Sequence, residues 1–129
     1  MSMQTAFDTA TAGIIAQGKR SSNGTEPGAT CLYRGPEGLK CAVGQLLSDE
    51  QIEKHGVPNS AGVHALSREL IEEILPDIEY YRAVDFLSDL QTAHDEARGN
   101  DFIASFTERA NQVADAYGLV PISSAELIK

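Results

Sequence analysis

Tryptophan is absent, and phenylalanine and tyrosine contribute four residues each. A core must therefore be assembled from Leu, Ile, Val and Ala, which the hydrophobic content of 42% can supply. Cysteine is almost as scarce. Cys31 and Cys41 are too few for a disulfide framework, and nine residues separate them where zinc sites use close pairs with two further ligands. His55, His64 and His94 do not complete a ligand spacing, so no metal is expected. Positive charge is also short, with ten Lys and Arg against nineteen Asp and Glu. That excludes general nucleic-acid binding, which needs clustered cations for phosphates, and docking on an anionic membrane. No apolar run reaches the roughly 20 residues of a membrane helix. The first residues lack the basic and apolar segments of a secretory signal. The expectation is a cytoplasmic chain with reduced thiols.

The length of 129 residues fits a single domain, 1–129. The net charge of −9 is unevenly spread. Residues 1–47 are nearly balanced, with Lys19, Arg20, Arg34 and Lys40 against Asp8, Glu26 and Glu37. Residues 48–129 carry almost all the excess of carboxylates. A solvated acidic surface explains this blandly; a face that docks on a basic partner explains it sharply.

Apolar spacing predicts a helix over 4–17 carrying Phe7, Ala10 and Ile14, ended by Gly18. Residues 18–29 are rich in turn formers and read as a long loop. Ser48 and Gln51 form a capping-box pattern for a short helix closed by Gly56 and Pro58, with Leu47 and Ile52 as its hydrophobic staple. Helices are predicted over about 62–75, over 78–97 with Asp77 as N-cap, and from Asn100 or Asp101 to Gly118. Ser123 to Glu126 could cap a short last turn.

Between the first helix and the rest lies Cys31-Leu-Tyr-Arg-Gly-Pro-Glu-Gly-Leu-Lys-Cys-Ala-Val-Gly44. Pro36 and Gly38 suit a type I turn with a bulge. On that register Gly35 pairs with Leu39, Arg34 with Lys40 and Tyr33 with Cys41. Cys31, Tyr33, Cys41 and Val43 then share the inward face, while Arg34 and Lys40 share the outward one. The fold expected is α+β, mainly α: about five helices with one β-hairpin inserted after the first.

The cations are the most informative cluster. Like charges opposed across a strand pair are unfavourable. Either carboxylates from the helices neutralise them or an anionic ligand does. Lys19, Arg20, Tyr33, Arg34 and Lys40 are the candidate ligand-binding residues, with Tyr33 for stacking. No Walker A, Rossmann or EF-hand pattern occurs, so no cofactor is expected. Asp85 and Asp89, one helical turn apart, could hold a cation, though such pairs are common on exposed helices. A cysteine nucleophile would need a histidine, most plausibly His94, whose neighbour Asp95 could orient it as a base.

The segment from Cys31 to Glu50, together with Leu87-Ser-Asp-Leu-Gln-Thr-Ala-His-Asp95, resembles a group of small, functionally uncharacterised bacteriophage and prophage proteins. The resemblance covers about half the chain. It implies a phage or prophage setting in a host cytoplasm and carries over no catalytic residues. The expected function is a non-enzymatic accessory binding protein that inhibits a host or defence protein, or that sequesters an anionic, nucleotide-like small molecule. The alternatives are a small cysteine-dependent hydrolase or transferase using Cys31 or Cys41, and a self-associating assembly protein pairing through Phe102 and Phe106 as a homo-oligomer.

Overall fold

The computed structural model describes residues 1–19, 21, 32–35, 38–59, 62–97 and 101–122. The described chain forms five α-helices: α1 (Met3–Gln17), α2 (Asp49–His55), α3 (Arg68–Ile74), α4 (Tyr80–Glu96) and α5 (Phe102–Ala116), with 3-10 turns at Val43–Leu46 and Val63–Ala65. Each helix begins where a side chain can accept an otherwise orphaned amide. Ser2 caps α1, Asp101 caps α5, and the Ser48–Gln51 box of α2 makes both of its reciprocal bonds. Gly18 and Gly56 take positive φ, the left-handed conformation that closes α1 and α2 at little cost to glycine.

Two expected boundaries shift for local reasons. The helix expected over 62–75 breaks at Leu66, which is extended. Ser67 then caps a fresh helix by accepting from the Leu70 amide at 3.2 Å. For α4 the cap is Glu79 rather than Asp77. Its carboxylate reaches two amides, those of Tyr81 and Arg82, at 3.1 and 3.0 Å.

Apolar positions spaced by three and four turn inward on α1, α4 and α5. Phe7, Phe86 and Phe106 are fully buried, and the buried side chains of all elements except α2 join one cluster. Burial of each such ring contributes about 1.5–3 kcal/mol. α4 and α5 run antiparallel, since Glu96 meets Arg109 at one end and Asp89 meets Tyr117 at the other.

The expected β-hairpin is absent: no strand occurs among the described residues, and mainly-α is the class. Pro36, Glu37 and Cys31 lie outside those residues, as do Arg20 and the last turn at 123–126. Of the expected cross-strand pairs, one bond remains, Gly35 N–H to Leu39 O at 2.7 Å. Other backbone groups of the segment pair with distant backbone, Leu32 N–H with Ser21 O and Tyr33 N–H with Asn59 O, both at 3.0 Å, or with side chains. The Gln17 amide donates to Lys40 O and accepts from Lys40 N–H, at 2.6 and 3.1 Å. The Asn59 amide does the same for Arg34, at 2.9 and 2.8 Å. Gln91 Oε1 accepts from Val43 N–H at 3.0 Å. A side-chain amide carries the same donor and acceptor as a peptide, so these three residues act as strand substitutes. Tyr33, Cys41 and Val43 are buried, but so is Ala42, so burial here does not follow the two-residue alternation of a strand face.

α2 has no fully buried residue; Ile52 packs partly against the core, and ionic contacts hold the helix end. Lys54 Nζ lies 3.3 Å from Glu73 Oε1, and His55 Nε2 bonds the other Glu73 oxygen. The His55 bond, with Lys54 adding to it, holds the Glu73 carboxyl below its ordinary 4.5. A carboxylate lowered on folding contributes stability that is complete above 4.5 and is lost as pH falls through the lowered value. Glu73→Gln should therefore mimic acid at neutral pH. Amide exchange across Ile52–Gly56 should quicken a few-fold while α4 stays unchanged. Unchanged exchange in α2 would show that this clasp holds nothing.

Candidate functional site

The candidate cations separate into two places. The Gln17 amide nitrogen donates to Lys19 O at 2.9 Å as well as to Lys40 O, so it ties the end of α1 to the segment before Cys41. That brings the Lys19 and Lys40 backbones together at a corner of the surface. Arg20 belongs to the same stretch but lies outside the described residues.

Arg34 is directed elsewhere. Its guanidinium donates to Tyr33 O at 3.0 Å, Gly44 O at 2.8 Å, Leu47 O at 2.6 Å and Asp49 Oδ1 at 2.8 Å. It closes the 3-10 turn Val43–Leu46 and joins it to the first turn of α2. The Arg34 hydrogen bond and charge hold the Asp49 carboxyl below its ordinary value. The neutralising carboxylate considered for the hairpin cations is thus Asp49, for Arg34. Tyr33 is 2% exposed, and its hydroxyl has no hydrogen-bond partner among the described residues. Burial, aided by nearby Cys41 and Asp95, pushes the phenol above its ordinary value. A ring so enclosed has no face for stacking a ligand.

Sequence reasoning missed a buried polar relay beneath this segment. His94 is fully buried on α4. Its Nε2 accepts from Ser21 N–H at 3.1 Å, and its Nδ1 lies 2.9 Å from Asp95 Oδ1. An amide can only donate, so the lone pair is on Nε2 and the proton on Nδ1. Gln91 donates to the same Asp95 oxygen at 2.9 Å. Ser21 continues the chain, its hydroxyl donating to Leu32 O at 2.7 Å. The relay runs from α4 to the stretch after α1 and fixes both.

This geometry bears on the chemistry expected of His94. Asp95 does orient the ring, as a catalytic base requires. The nitrogen that would take a proton is already occupied by the Ser21 amide. Cys41 is buried at 1% exposure, and its sulfur accepts from Gly44 N–H at 3.4 Å. Cys31 lies outside the described residues.

The acidic surface has a concave place between two helices. α4 and α5 leave a groove of about 260 Å³ lined by Asp89, Ala93, Glu96, Arg109, Val113 and Ala116, among others. Arg109 bridges to Glu96 at 3.3 Å, and Asp89 accepts from the Tyr117 hydroxyl at 2.7 Å. Tyr117 is held in its protonated form by partial burial and by Asp89. The expected Asp85–Asp89 pair thus has one member engaged. Among the described residues no group of three or more His, Cys, Asp or Glu could hold a metal ion. No described helix is long and apolar enough to cross a membrane. Phe106, nominated for self-association, lies inside this chain's own core, with Phe102 stacked on it at 6.1 Å.

Comparison of the chain with protein-family models, curated proteins and solved structures finds no match.

Proposed function

We propose that the chain is a non-enzymatic accessory binding protein of a phage or prophage that acts on a protein partner, blocking a host or defence protein. The observation that carries this reading is where the reactive-looking groups are used. Arg34 and the basic nitrogen of His94 are consumed by backbone groups of this chain, and Cys41 is packed away. What the helices present to water is carboxylate, on α2, α3, α4 and α5. Such a surface recruits and orients a partner of opposite charge.

A second reading is favoured by the Lys19–Lys40 corner. One Gln17 amide ties the two backbones side by side, and the ammonium groups of the two lysines are what would hold a small anion, such as a phosphate group of a nucleotide. They would do so without Tyr33 or Arg34.

Native mass spectrometry on protein purified from cells that carry its gene separates the two. The protein-partner reading expects a stoichiometric polypeptide that is retained by the Lys19→Glu/Lys40→Glu variant and released by high salt. A small anion lost in that variant, with no polypeptide, would replace it with sequestration. Neither species, from cells in which the chain is expressed, would remove both.

A further inference from the structure

We infer that Ser67 is a nucleophilic hydroxyl that accepts an acyl group from an activated ester, with His55 as its base. The inference goes beyond the protein-partner reading and does not rest on it. Three side chains from two helices meet there. His55 closes α2, Ser67 caps α3, and Glu73 lies on α3. Ser67 Oγ lies 3.3 Å from His55 Nδ1, and His55 Nε2 bonds a Glu73 oxygen. A carboxylate only accepts, so in the neutral ring Nε2 carries the proton and Nδ1 the lone pair. The Ser67 oxygen itself accepts from the Leu70 amide at 3.2 Å, which leaves its hydrogen to point at Nδ1. Hydroxyl, imidazole and carboxylate thus stand in the order of a nucleophile, its base and the group that orients the base. Relative to a serine hydrolase the two ring nitrogens have exchanged places.

Burial separates the roles. The His55 side chain is 6% exposed, so water competes poorly for its nitrogens, whereas Ser67 is exposed and can be reached from solvent. Lys54 Nζ holds the second Glu73 oxygen at 3.3 Å, so the carboxylate is fixed from both sides. Charge chooses the donor. Glu69, Glu72 and Glu73 stand on the same short helix, and the nearby cations are engaged, Arg68 with Glu72 at 2.9 Å and Lys54 with Glu73. A phosphoryl donor is repelled there, and an uncharged ester is not. In the step, Ser67 Oγ bonds the acyl carbon while its proton passes to His55 Nδ1. The bond from that carbon to the leaving aryl oxygen breaks, and the aryl oxide departs with the electron pair. Nδ1 then gives the proton to the solvent, and the acyl group stays on the chain.

The probe is p-nitrophenyl acetate, given briefly to the full chain near neutral pH, with the acetyl groups located by peptide mass spectrometry. Ser48 is the internal control. It is also an exposed helix cap, accepting from the Gln51 amide at 3.0 Å, but among the described residues it bonds no histidine. Ser67 should be acetylated about a hundredfold faster than Ser48, the low end of what a positioned base contributes. His55→Gln should bring Ser67 down to the rate of Ser48. Ser67→Asn, which removes the hydroxyl and keeps a capping oxygen, should remove the fast release of one nitrophenolate per chain. Circular dichroism checks that both variants stay folded, and the ratio of the two serines in the wild-type chain decides even if neither does.

Equal acetylation of the two serines, or acetyl groups on Lys54 and the amino terminus alone, would overturn the inference and leave Ser67 a helix cap. An excess at Ser67 that persists in folded His55→Gln would overturn it too, by removing the base. Nitrophenolate released beyond one per chain, and lost in Ser67→Asn, would keep Ser67 as the nucleophile and overturn the non-enzymatic reading instead. The protein-partner reading is judged by its own polypeptide, so failure at Ser67 leaves it standing.

Discussion

Gly44→Ala is expected to destabilise the fold by about 3 kcal/mol, the upper part of the range for overpacked cores. The reason is steric. A Cβ at Gly44 would stand 2.5 Å from Tyr33 O and 3.2 Å from Tyr33 C and Cα. These are backbone atoms, so no rotamer change relieves the contact. Nor can the Tyr33 backbone retreat cheaply. Its N–H is bonded to Asn59 O at 3.0 Å, and its carbonyl takes the Arg34 guanidinium that also holds Gly44 O. The gain of up to ~1 kcal/mol that alanine ordinarily brings to a helical position offsets only part of this. For a chain of this length the midpoint of thermal unfolding should fall by about 10 °C. Two controls separate this cause from a general effect of losing glycine. Gly62→Ala meets nothing within 4 Å and should be neutral within error. At Gly13 the nearest atoms a new Cβ would meet belong to the Gln45 side chain, which can swing aside at the cost of its bonds to Gln17 and Lys40, so the loss there should be smaller. A Gly44→Ala protein as stable as Gly62→Ala would mean that the Tyr33–Gly44 approach is not as close as described.

The same approach shows what could be read from residues and what could not. Caps and closures were legible because both partners lie within a turn of each other. Ser48 with Gln51, Asp101 with Ala104, and Gly18 and Gly56 at helix ends all follow from local chemistry. Apolar spacing likewise placed the inward faces of α1, α4 and α5. The segment after α1 carried an equally clear local signal, alternation around a proline–glycine turn, and that signal misled. Cross-strand bonds compete with any other donor or acceptor the fold brings near. The winners here were amides 23, 25 and 48 residues away: Gln17, Asn59 and Gln91. Glutamine and asparagine look like surface polarity in a sequence, and nothing local marks them as backbone partners. The candidate site divided on the same line. Asp95 beside His94 is visible from adjacency, but Ser21, which closes the other nitrogen, is 73 residues away. Arg34 and Lys40 looked like a matched pair only while the hairpin placed them opposite each other.

Arg34→Ala is expected to cost about 3 kcal/mol, and Arg34→Lys should recover little of it. In the folded chain one planar group serves four acceptors from three stretches: Tyr33 O, Gly44 O, Leu47 O and Asp49 Oδ1, all within 3.0 Å. The side chain is 25% exposed, so water reaches it only in part. Hydrogen bonds to a charged group contribute about 1.5–3 kcal/mol each, less where solvent competes, and they are not additive here because all share one guanidinium. Truncation strands two carbonyls near the core, Tyr33 O and Leu47 O, and leaves Gly44 O with only the long bond from Leu47 N–H at 3.4 Å, which dominates the cost. Lysine restores the charge but offers one nitrogen at the end of a flexible stem, so it cannot serve the acceptors that three guanidinium nitrogens serve here. Asp49→Asn removes only the exposed end of the network. Its carboxylate is held low by Arg34, so whatever it contributes is present above the ordinary carboxylate range and fades as pH falls through the lowered value. The order of stability should therefore be wild type, then Asp49→Asn, then Arg34→Lys, with Arg34→Ala lowest, measured by urea unfolding near neutral pH. Were Arg34 instead held in place for an anionic ligand, Arg34→Ala would leave stability intact and weaken binding alone. An unfolding midpoint unmoved by Arg34→Ala would return this residue to the ligand site and undo the division between a structural arginine and a lysine corner.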